Sequence, residues 1–314
     1  MRKNALYFLE KQRGNFVSGE QMARELGVSR MAVSKAVSEL KKQGAVIESS
    51  TKCGYRLTKS PDGLRAESIA AGLSLDSEVF CYDVIGSTNE EAKRLAAEGY
   101  EHGTVVAARA QSAGRGRYGR QFFSPSDSGL YMSVLLRPDT ARAGIMYTVA
   151  AAVAVRRAIS KYARGAEIKW VNDIYLGGRK VCGILCEAVS DLENGQLSAV
   201  ICGIGVNLTP PEGGFPEDII GKAGCISDQP IERGVFAYEL VNALLDVLAL
   251  DSEALISEYS EHMMLTGRRI SYNKNGTVFS GVVRGVDGAG GLLVTNVTGE
   301  RVVLRSGEVA LESF

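Results

Sequence analysis

The sequence contains no apolar run near the about 18 residues that a membrane-spanning helix needs, and no apolar segment follows its first basic residues. We therefore expect a cytoplasmic protein with neither a secretory signal nor contact with a membrane. Histidine is scarce, with only His102 and His262. Cys182 and Cys186 are four residues apart, but neither histidine is near them in sequence, which disfavours a zinc site. The six cysteines are expected to be reduced and to pack as small buried apolar groups.

The charges of the chain are unevenly distributed. The 314 residues have no net charge and an ordinary globular composition, with 45% hydrophobic and 23% charged residues, enough for two or three domains. Residues 1–60, however, contain 12 Lys/Arg against 5 Asp/Glu, a net charge of +7, which leaves −7 on the remainder. This asymmetry predicts that a polyanion binds near the N-terminus, and a merely solvated basic surface is the alternative.

The basic N-terminal segment has the pattern of two helices joined by a tight turn. Ser18 is placed to cap a short helix that Gly27 ends, and Ser29 is placed to cap the next helix. The apolar face expected for this second helix comprises Met31, Ala32, Val33, Ala36, Val37 and Leu40. Two short strands at 45–47 and 55–57 would form a hairpin, and the whole pattern predicts a winged helix-turn-helix.

The exposed side of the second helix carries groups that suit DNA. Hydroxyl and basic side chains contact base edges and phosphates when such a helix lies in the major groove. The predicted DNA contacts are Ser29, Arg30, Ser34 and Lys35. A plain helical bundle that binds a protein is the alternative.

The rest of the chain divides into a mixed region and an all-β tail. A helix at 64–75 is expected to connect the N-terminal domain to a region of alternating strands and helices. In that region, strands at 167–175 and 180–189 would form a hairpin, and 236–259 would be one long helix. Short alternating runs between glycine-bearing turns follow from residue 267 and predict a small antiparallel barrel without a catalytic role.

Residues 114–120 read Gly-Arg-Gly-Arg-Tyr-Gly-Arg. Three glycines in seven positions disfavour a helix and a strand interior, so we expect a flexible loop. Glycine lets backbone N–H groups approach an anion, and arginine offers forked donors that match phosphate or carboxylate oxygens. The loop therefore predicts a small ligand that carries a phosphate.

Four further segments carry groups suited to this ligand. They are Ser-Thr-Asn at 87–89, Lys-Trp-Val-Asn-Asp at 169–173, Gly-Arg-Lys-Val-Cys-Gly-Ile-Leu at 178–185, and Gly-Ile-Gly-Val-Asn-Leu at 203–208. The first of them has a second interpretation, because its side chains are also placed to cap the helix that follows. For Lys169 the alternative interpretation is a surface lysine, and for Trp170 it is packing in the core.

Together, these segments and their order resemble the biotin protein ligases, specifically the bacterial bifunctional type that also represses biotin synthesis. The resemblance implies an α+β multidomain protein whose central mixed-sheet ligase domain is class II synthetase-like. Its parts would be a winged helix-turn-helix domain at 1–60, a linker at 61–76, a biotin- and ATP-binding ligase core at 77–265, and an SH3-like β-barrel at 266–314.

The resemblance implies two half-reactions and a regulatory role. Biotin and MgATP would give biotinyl-5′-adenylate and pyrophosphate, and the adenylate would then acylate one lysine on the biotin carboxyl carrier domain of a carboxylase. The adenylate would also favour a homodimer whose paired N-terminal domains bind a palindromic operator.

The resemblance also assigns roles to residues, although it identifies no ligands for the Mg²⁺ ion. Catalysis is implied for Lys180, Arg115, Arg117 and Asp173. Biotin contacts are implied for Ser87, Thr88, Asn89, Gln111, Gly114, Arg115, Gly116, Arg117, Lys180 and Gly183. Contacts with ATP or the adenylate are implied for Arg115, Arg117, Arg120, Phe122, Lys169, Asn172, Lys180 and Asn207.

Two residues depart from the family pattern, and two other functions stay open. Val171 stands where the family has a proline, and Phe122 and Phe123 stand where it has a tryptophan. The alternatives are a lipoate–protein ligase and a ligand-responsive transcription factor with an inactive ligase core. The intact basic groups of the loop and Lys180 argue against the second.

Overall fold

The computed structural model describes residues 4–61, 63–138, 144–190, 196–274 and 277–311. Within these ranges, none of the helices combines the length and the apolar character that crossing a lipid bilayer requires.

The N-terminal unit contains three helices and a β-hairpin. Its elements are α1 (Ala5–Lys11), α2 (Gly19–Leu26), α3 (Arg30–Lys42), β1 (Val46–Ser50) and β2 (Gly54–Lys59). Ser18 Oγ accepts a hydrogen bond from the Gln21 amide, 3.0 Å away, and begins α2. Gly27 ends α2 in the left-handed region, with φ of 67°. Ser29 Oγ accepts from the Ala32 amide at 3.1 Å and begins α3. The predicted winged helix-turn-helix is therefore confirmed.

The apolar face predicted for α3 is wrong at its first turn. Val33 and Val37 are buried against α1, α2 and the hairpin, but Met31 is 82% exposed and Ala32 is also exposed. Successive helical residues are rotated by about 100°, so three consecutive apolar residues cannot all face one side. Val33 takes the buried position, which places Met31 on the opposite surface.

The N-terminal unit is joined to the rest of the chain through a partly buried cluster of charged and hydroxyl side chains. The Glu10 side chain on α1, only 4% exposed, accepts hydrogen bonds from Ser60 Oγ at 2.6 Å and Ser68 Oγ at 2.7 Å. Arg13 contacts Glu232 at 2.6 Å. The connecting helix α4 (Ala66–Gly72) is shorter than predicted, and it packs against α1 and against the core.

A seven-stranded sheet forms the centre of the protein. Its strands are β3 (Val79–Ile85), β4 (Val105–Gln111), β5 (Gly129–Leu136), β6 (Glu167–Lys169), β7 (Asp173–Leu176), β8 (Arg179–Ser190) and β9 (Leu197–Asn207). They lie in the order β3-β4-β5-β9-β8-β7-β6, with β3 and β4 parallel and every other neighbouring pair antiparallel. The predicted mixed sheet is confirmed.

Helices cover both faces of this sheet. Their bounds are α5 (Thr88–Ala97), α6 (Gly144–Ile159), α7 (Arg233–Leu248) and α8 (Ser252–Glu261). The helix α6 is buried over most of its length and packs on one face with α7 and α8, in the main core. The helix α5 lies on the other face, where Leu95 packs against Val106, Leu135 and Ile201. Strand residues alternate between the two faces, so the sheet needs apolar residues on both.

Two predicted elements are each divided in the structure. The predicted strand 167–175 is interrupted at 170–172 by a turn that separates β6 from β7. The predicted helix 236–259 is interrupted because Asp251 accepts a hydrogen bond from the Ala254 amide at 2.8 Å and begins α8. In both places a local turn or cap overrides a continuous apolar pattern.

The C-terminal unit is a five-stranded antiparallel sheet. Its strands are β10 (Arg269–Lys274), β11 (Thr277–Val286), β12 (Leu292–Asn296), β13 (Arg301–Leu304) and β14 (Val309–Leu311). They lie in the order β13-β12-β11-β10-β14 and form the small barrel-like unit that the sequence predicts. The Trp170 Nε1 group donates to the Gly290 carbonyl oxygen at 3.0 Å and attaches this unit to the β6–β7 turn.

None of the six cysteines forms a disulfide. Cys182 and Cys202 are buried, as expected of small apolar groups, but Cys53 in the turn between β1 and β2 is exposed. The expectation of uniformly buried cysteines is therefore wrong at this position.

Candidate functional site

A cavity of about 970 Å³ opens between the α5 face of the central sheet and the C-terminal barrel. This volume lies within the range of small-molecule sites. Every residue that the sequence predicts to bind biotin or nucleotide lines the cavity except Gly114. Gly114 lies behind the wall, since a Cβ atom there would be 2.7 Å from the Phe122 carbonyl oxygen. The predicted DNA contacts lie elsewhere, on the exposed face of α3 and at its N-terminus.

Three glycines of β8 and β9 make room for the floor of the cavity. A Cβ atom on Gly203 would lie 2.1 Å from Asn89 Oδ1, so only glycine admits that side chain. A Cβ atom on Gly205 would lie 2.4 Å from the Phe122 ring, and one on Gly183 would lie 2.9 Å from it. Glycine at these positions lets an amide and an aromatic ring lie directly on the sheet.

The start of α5 and the end of the arginine–glycine loop are joined through Gln111. Gln111 Oε1 accepts hydrogen bonds from the Thr88 amide at 2.8 Å and from Thr88 Oγ1 at 3.2 Å. Its Nε2 group donates to Ser124 Oγ at 3.1 Å. Ser87 occupies the N-cap position of α5 but makes no side-chain cap hydrogen bond. The side chains of the Ser-Thr-Asn segment therefore do more than cap α5, since Thr88 bonds to Gln111 and Ser87 makes no cap hydrogen bond.

Asn89 is the centre of a buried hydrogen-bond network. Its Oδ1 atom accepts from Ser133 Oγ at 2.6 Å, and its Nδ2 group donates to Glu187 Oε2 at 2.7 Å and to the Leu185 carbonyl oxygen at 3.2 Å. Ser133 Oγ also lies 2.8 Å from Thr88 Oγ1. The amide and hydroxyl groups of this network are therefore held in one orientation beneath the cavity.

A chain of charges connects this network to the arginine–glycine loop. Glu187 Oε1 lies 2.7 Å from Lys93 Nζ, Lys93 lies 3.1 Å from Glu90, and Glu90 lies 2.9 Å from Arg115 Nη1. Burial by itself raises the pKa of Glu187, but the Lys93 ammonium and the Asn89 amide outweigh it and hold that pKa below its ordinary value. Glu187 is therefore an ionised acceptor at neutral pH.

The other two arginines of the loop contact different elements. Arg117 Nη1 donates to Asn172 Oδ1 at 3.0 Å, in the β6–β7 turn. Arg120 Nη2 donates to Glu308 Oε2 at 2.6 Å, in the C-terminal barrel. The loop, which contains a single 3₁₀ turn at 117–119, is thus connected to three separate parts of the protein.

Lys180 and Asp173 form an ion pair in the cavity wall. Lys180 Nζ lies 2.7 Å from Asp173 Oδ1, and both side chains stay partly accessible, at 35% and 21%. Asn172 is fixed beside them, since its Nδ2 group donates to the Ile184 carbonyl oxygen at 2.9 Å. Lys169 lies further out, with Nζ 5.6 Å from the centre of the Tyr175 ring. A cation, a carboxylate and an amide oxygen are therefore presented together.

The segment 209–224 closes the far end of the cavity, and the sequence reasoning missed it. Asn207 Nδ2 donates to the Gly224 carbonyl oxygen at 2.9 Å, and the Phe215 ring lies 6.5 Å from that of Phe123. The segment has neither helical nor strand periodicity, so no pattern marked it. The barrel, for which the sequence predicts no catalytic role, also contributes to the cavity wall, since Tyr272, Glu308 and their neighbours line it.

Residues 81–207 match the model of the biotin/lipoate A/B protein ligase family, and residues 2–56 match a helix-turn-helix domain. The bifunctional ligase/repressor BirA of Bacillus subtilis is 36% identical over 238 residues, which cover 74% of this chain and 73% of that protein. BirA of Salmonella typhimurium is 30% identical over 310 residues, 96% of this chain and 94% of that protein. The chain belongs to the biotin/lipoate protein ligase family. The predicted resemblance is therefore confirmed.

Solved structures of this family share the fold. The biotin protein ligase of Aquifex aeolicus, in complex with biotin and ATP, superposes with a TM-score of 0.64 at 24% identity and covers 75% of this chain and 98% of that one. The biotin acetyl coenzyme A carboxylase synthetase of Helicobacter pylori gives a TM-score of 0.53 at 19% identity, over 72% of this chain and 99% of that one.

The sequence reasoning also missed Ser133, Glu187 and Lys93, although one signal for Glu187 was present. Residues 183, 185 and 187 alternate along β8 and therefore face the same side of the sheet as the cavity. A carboxylate on that stripe, four residues beyond Gly183, indicates an acceptor on the cavity side of the sheet. Ser133 had no such signal, since its partners are distant in sequence, and neither had the contact of Lys93 with Glu187, which spans 94 positions.

Replacing Glu187 with Gln keeps an acceptor for Asn89 but removes the ion pair with Lys93. We expect the free energy of unfolding at pH 7 to fall by about 1 kcal/mol or less. The pKa of Glu187 is lower in the folded than in the unfolded state, so its ionised form stabilises the fold at pH values above the unfolded-state pKa. This stabilisation is lost as the pH falls through the folded-state pKa. Urea unfolding at pH 7 and at progressively lower pH measures the free energy of unfolding of wild type and of Glu187→Gln. The difference between the two should shrink below a pH of about 4. A difference that stays constant with pH would exclude an ionised Glu187 as its source.

Proposed function

We propose that this protein activates biotin with ATP to biotinyl-5′-adenylate and transfers the biotinyl group to one lysine of a biotin carboxyl carrier domain. We propose that it is also a biotin-responsive transcriptional repressor, acting in the cytoplasm. The observation that carries the ligase function is one cavity that combines a buried amide and hydroxyl floor with the arginine–glycine loop and Lys180. Family membership and relatives named as bifunctional ligase/repressors support both functions.

The first half-reaction must bring two anions together. The biotin carboxylate and the α-phosphate of ATP repel each other by about 4 kcal/mol at 4 Å in an effective dielectric of about 20. Arg115, Arg117 and Lys180 supply positive charge around one space, and their guanidinium and ammonium groups stabilise charge that builds on the α-phosphate in the transition state. The carboxylate oxygen then attacks phosphorus, and pyrophosphate leaves.

We assign the buried polar floor to biotin. A cyclic urea offers two N–H donors and one carbonyl acceptor, and it needs neutral partners of fixed orientation. Thr88, Asn89 and Gln111 present hydroxyl and amide groups that the network beneath them already orients. Ser87 lies at the same end of α5. Gly116 and Gly183 also line the cavity, and the missing side chain of Gly183 leaves room for the Phe122 ring.

We assign the outer part of the cavity to the nucleotide. Phe122 provides an aromatic face there, and Lys169, Asn172 and Asn207 offer groups for phosphate, ribose or base. Arg120 reaches this region from the loop. Mg²⁺ would enter with ATP and would neutralise charge on its phosphates. Within the described residues, no group of three or more His, Cys, Asp and Glu side chains is placed to hold a metal ion.

In the second half-reaction, the acceptor lysine amine attacks the acyl carbon of the adenylate. A C–N bond forms, the acyl–phosphate C–O bond breaks, and AMP leaves with the bonding electrons. The attacking amine must lose a proton, and we assign to Asp173, a partly exposed carboxylate in the cavity wall, the roles of orienting the amine and accepting that proton. Lys180 Nζ lies 2.7 Å from Asp173 Oδ1 and holds this carboxylate in place in the cavity wall.

Replacing Lys180 with Ala should lower the rate of biotin-dependent pyrophosphate release by about a hundredfold, since one cation at the reacting phosphate is lost. Lys161→Ala provides a matched control, because that lysine pairs with Glu239 far from the cavity. Transfer of labelled biotin to a carrier domain should fall in parallel. Unchanged rates in the Lys180 variant would remove the catalytic assignment. Activity with lipoate in place of biotin would make the protein a lipoate ligase, and no activity with either acid would leave only the regulatory function.

The regulatory function depends on the exposed face of α3. Ser34 and Lys35 are exposed, and Ser29 at the N-cap position keeps its hydroxyl hydrogen free for a phosphate oxygen. Arg30 pairs with Glu20 of α2, so its contact with DNA requires the guanidinium to leave that carboxylate. A homodimer in the adenylate-bound state would place two such helices on a palindromic operator.

Purified protein should bind its operator about tenfold or more tightly when biotin and ATP are both present, since dimerisation then couples to binding of the second half-site. Fluorescence anisotropy with operator DNA, without ligand, with each ligand alone and with both, measures this difference. Sedimentation under the same conditions reports the dimer. Equal operator affinity in all four mixtures would show that the adenylate does not control the DNA-binding domain.

A further inference from the structure

Met31 is the most exposed large hydrophobic side chain among the described residues of the protein. It is 82% exposed, more than Val297 at 72% and Val278 at 68%. Single exposed apolar residues are common and need no explanation by themselves. The position of Met31 is what distinguishes it, because it lies in the first turn of α3, the second helix of the helix-turn-helix.

The rotation of α3 places Met31 at the middle of its exposed face. Val33 and Val37 define the buried side. At about 100° per residue, Met31 lies roughly opposite them, in one row with Lys35, Ser38 and Lys42. All members of this row are exposed. The row therefore combines one large apolar side chain, at its N-terminal end, with hydroxyl and basic groups further along.

This placement fits the geometry of DNA recognition. The N-terminal residues of a recognition helix contact base edges, whereas basic groups further along reach phosphates. An apolar side chain discriminates bases in the major groove mainly through the C5-methyl group of thymine, which cytosine, adenine and guanine lack. Methionine is long and flexible, so it can cover such a methyl group without a fixed rotamer.

We propose that Met31 determines part of the operator specificity by packing against a thymine C5-methyl group in the major groove. The inference rests on the proposed repressor function and goes beyond it, since it names the side chain and the chemical group that are in contact. Met31 does not pack in the N-terminal core, so its side chain is free to make this contact.

The test removes the methyl group and the side chain separately. An operator is first obtained by repeated selection of random duplexes with the full-length protein, biotin and ATP. Each thymine of a half-site is then replaced in turn by deoxyuridine, which lacks only the C5-methyl group. Wild type, Met31→Ala, Met31→Leu and the matched control Val297→Ala are compared by fluorescence anisotropy, with thermal unfolding as a check on folding.

At one thymine we expect deoxyuridine to weaken wild-type binding about fourfold, the equivalent of one buried methyl group. Met31→Ala should bind the thymine operator at least as weakly as wild type binds the deoxyuridine operator. Its affinity should not fall further when deoxyuridine replaces that thymine. Met31→Leu should keep most of the sensitivity, and Val297→Ala should behave as wild type. The unfolding temperature of Met31→Ala should stay unchanged.

Three results would overturn the proposal. If the wild type is insensitive to every deoxyuridine, no thymine methyl group is in contact. If Met31→Ala keeps full affinity or the same sensitivity as wild type, another residue makes the contact. If the wild type selects no duplex at all, the repressor function itself fails, which is distinct from failure of the Met31 contact alone.

Discussion

The site depends on the space that Gly203 leaves for the side chain of Asn89. An amide that lies directly on a sheet must have every one of its polar groups paired, because an unpaired buried group costs about 1–3 kcal/mol. Here Ser133, Leu185 and Glu187 supply those partners. The glycine on β9, the helix α5 and the carboxylate on β8 are therefore one unit, and a change in any of them disturbs the orientation of the cavity floor.

The positive charges of the site lie above this fixed floor and are held more loosely. The three loop arginines contact three different elements, and the contacts of Arg115 and Arg120 are with carboxylates at largely exposed positions. Exposed pairs of this kind contribute little to stability, so an anionic ligand can replace the carboxylates at small cost. A rigid neutral floor and an exchangeable cationic loop suit a substrate that combines a neutral ring system with two anionic groups.

Short-range signals in the sequence predicted much of this fold. The caps at Ser18 and Ser29 and the strand and glycine motifs involve partners within a few residues, and the order of the motifs indicated the family. The pairing of Asn89 with Glu187 crosses 98 positions, and contacts of that range leave no periodicity in a single sequence. Met31 was wrongly placed on the buried face of α3, because burial depends on which of three adjacent apolar residues meets the neighbouring helix. The barrel's contribution to the cavity wall depends on how the domains pack, which a single sequence does not reveal.

The central claim is that the floor built on Gly203 and Asn89 holds biotin. Isothermal titration of biotin into Gly203→Ala tests it most directly, with Gly144→Ala as the control, since a Cβ atom on Gly144 meets nothing within 4 Å. We expect Gly203→Ala to lose about tenfold or more in biotin affinity, because the added Cβ displaces the Asn89 amide, while its circular dichroism spectrum stays native and Gly144→Ala binds biotin as wild type does. Wild-type biotin affinity in a folded Gly203→Ala variant would contradict it.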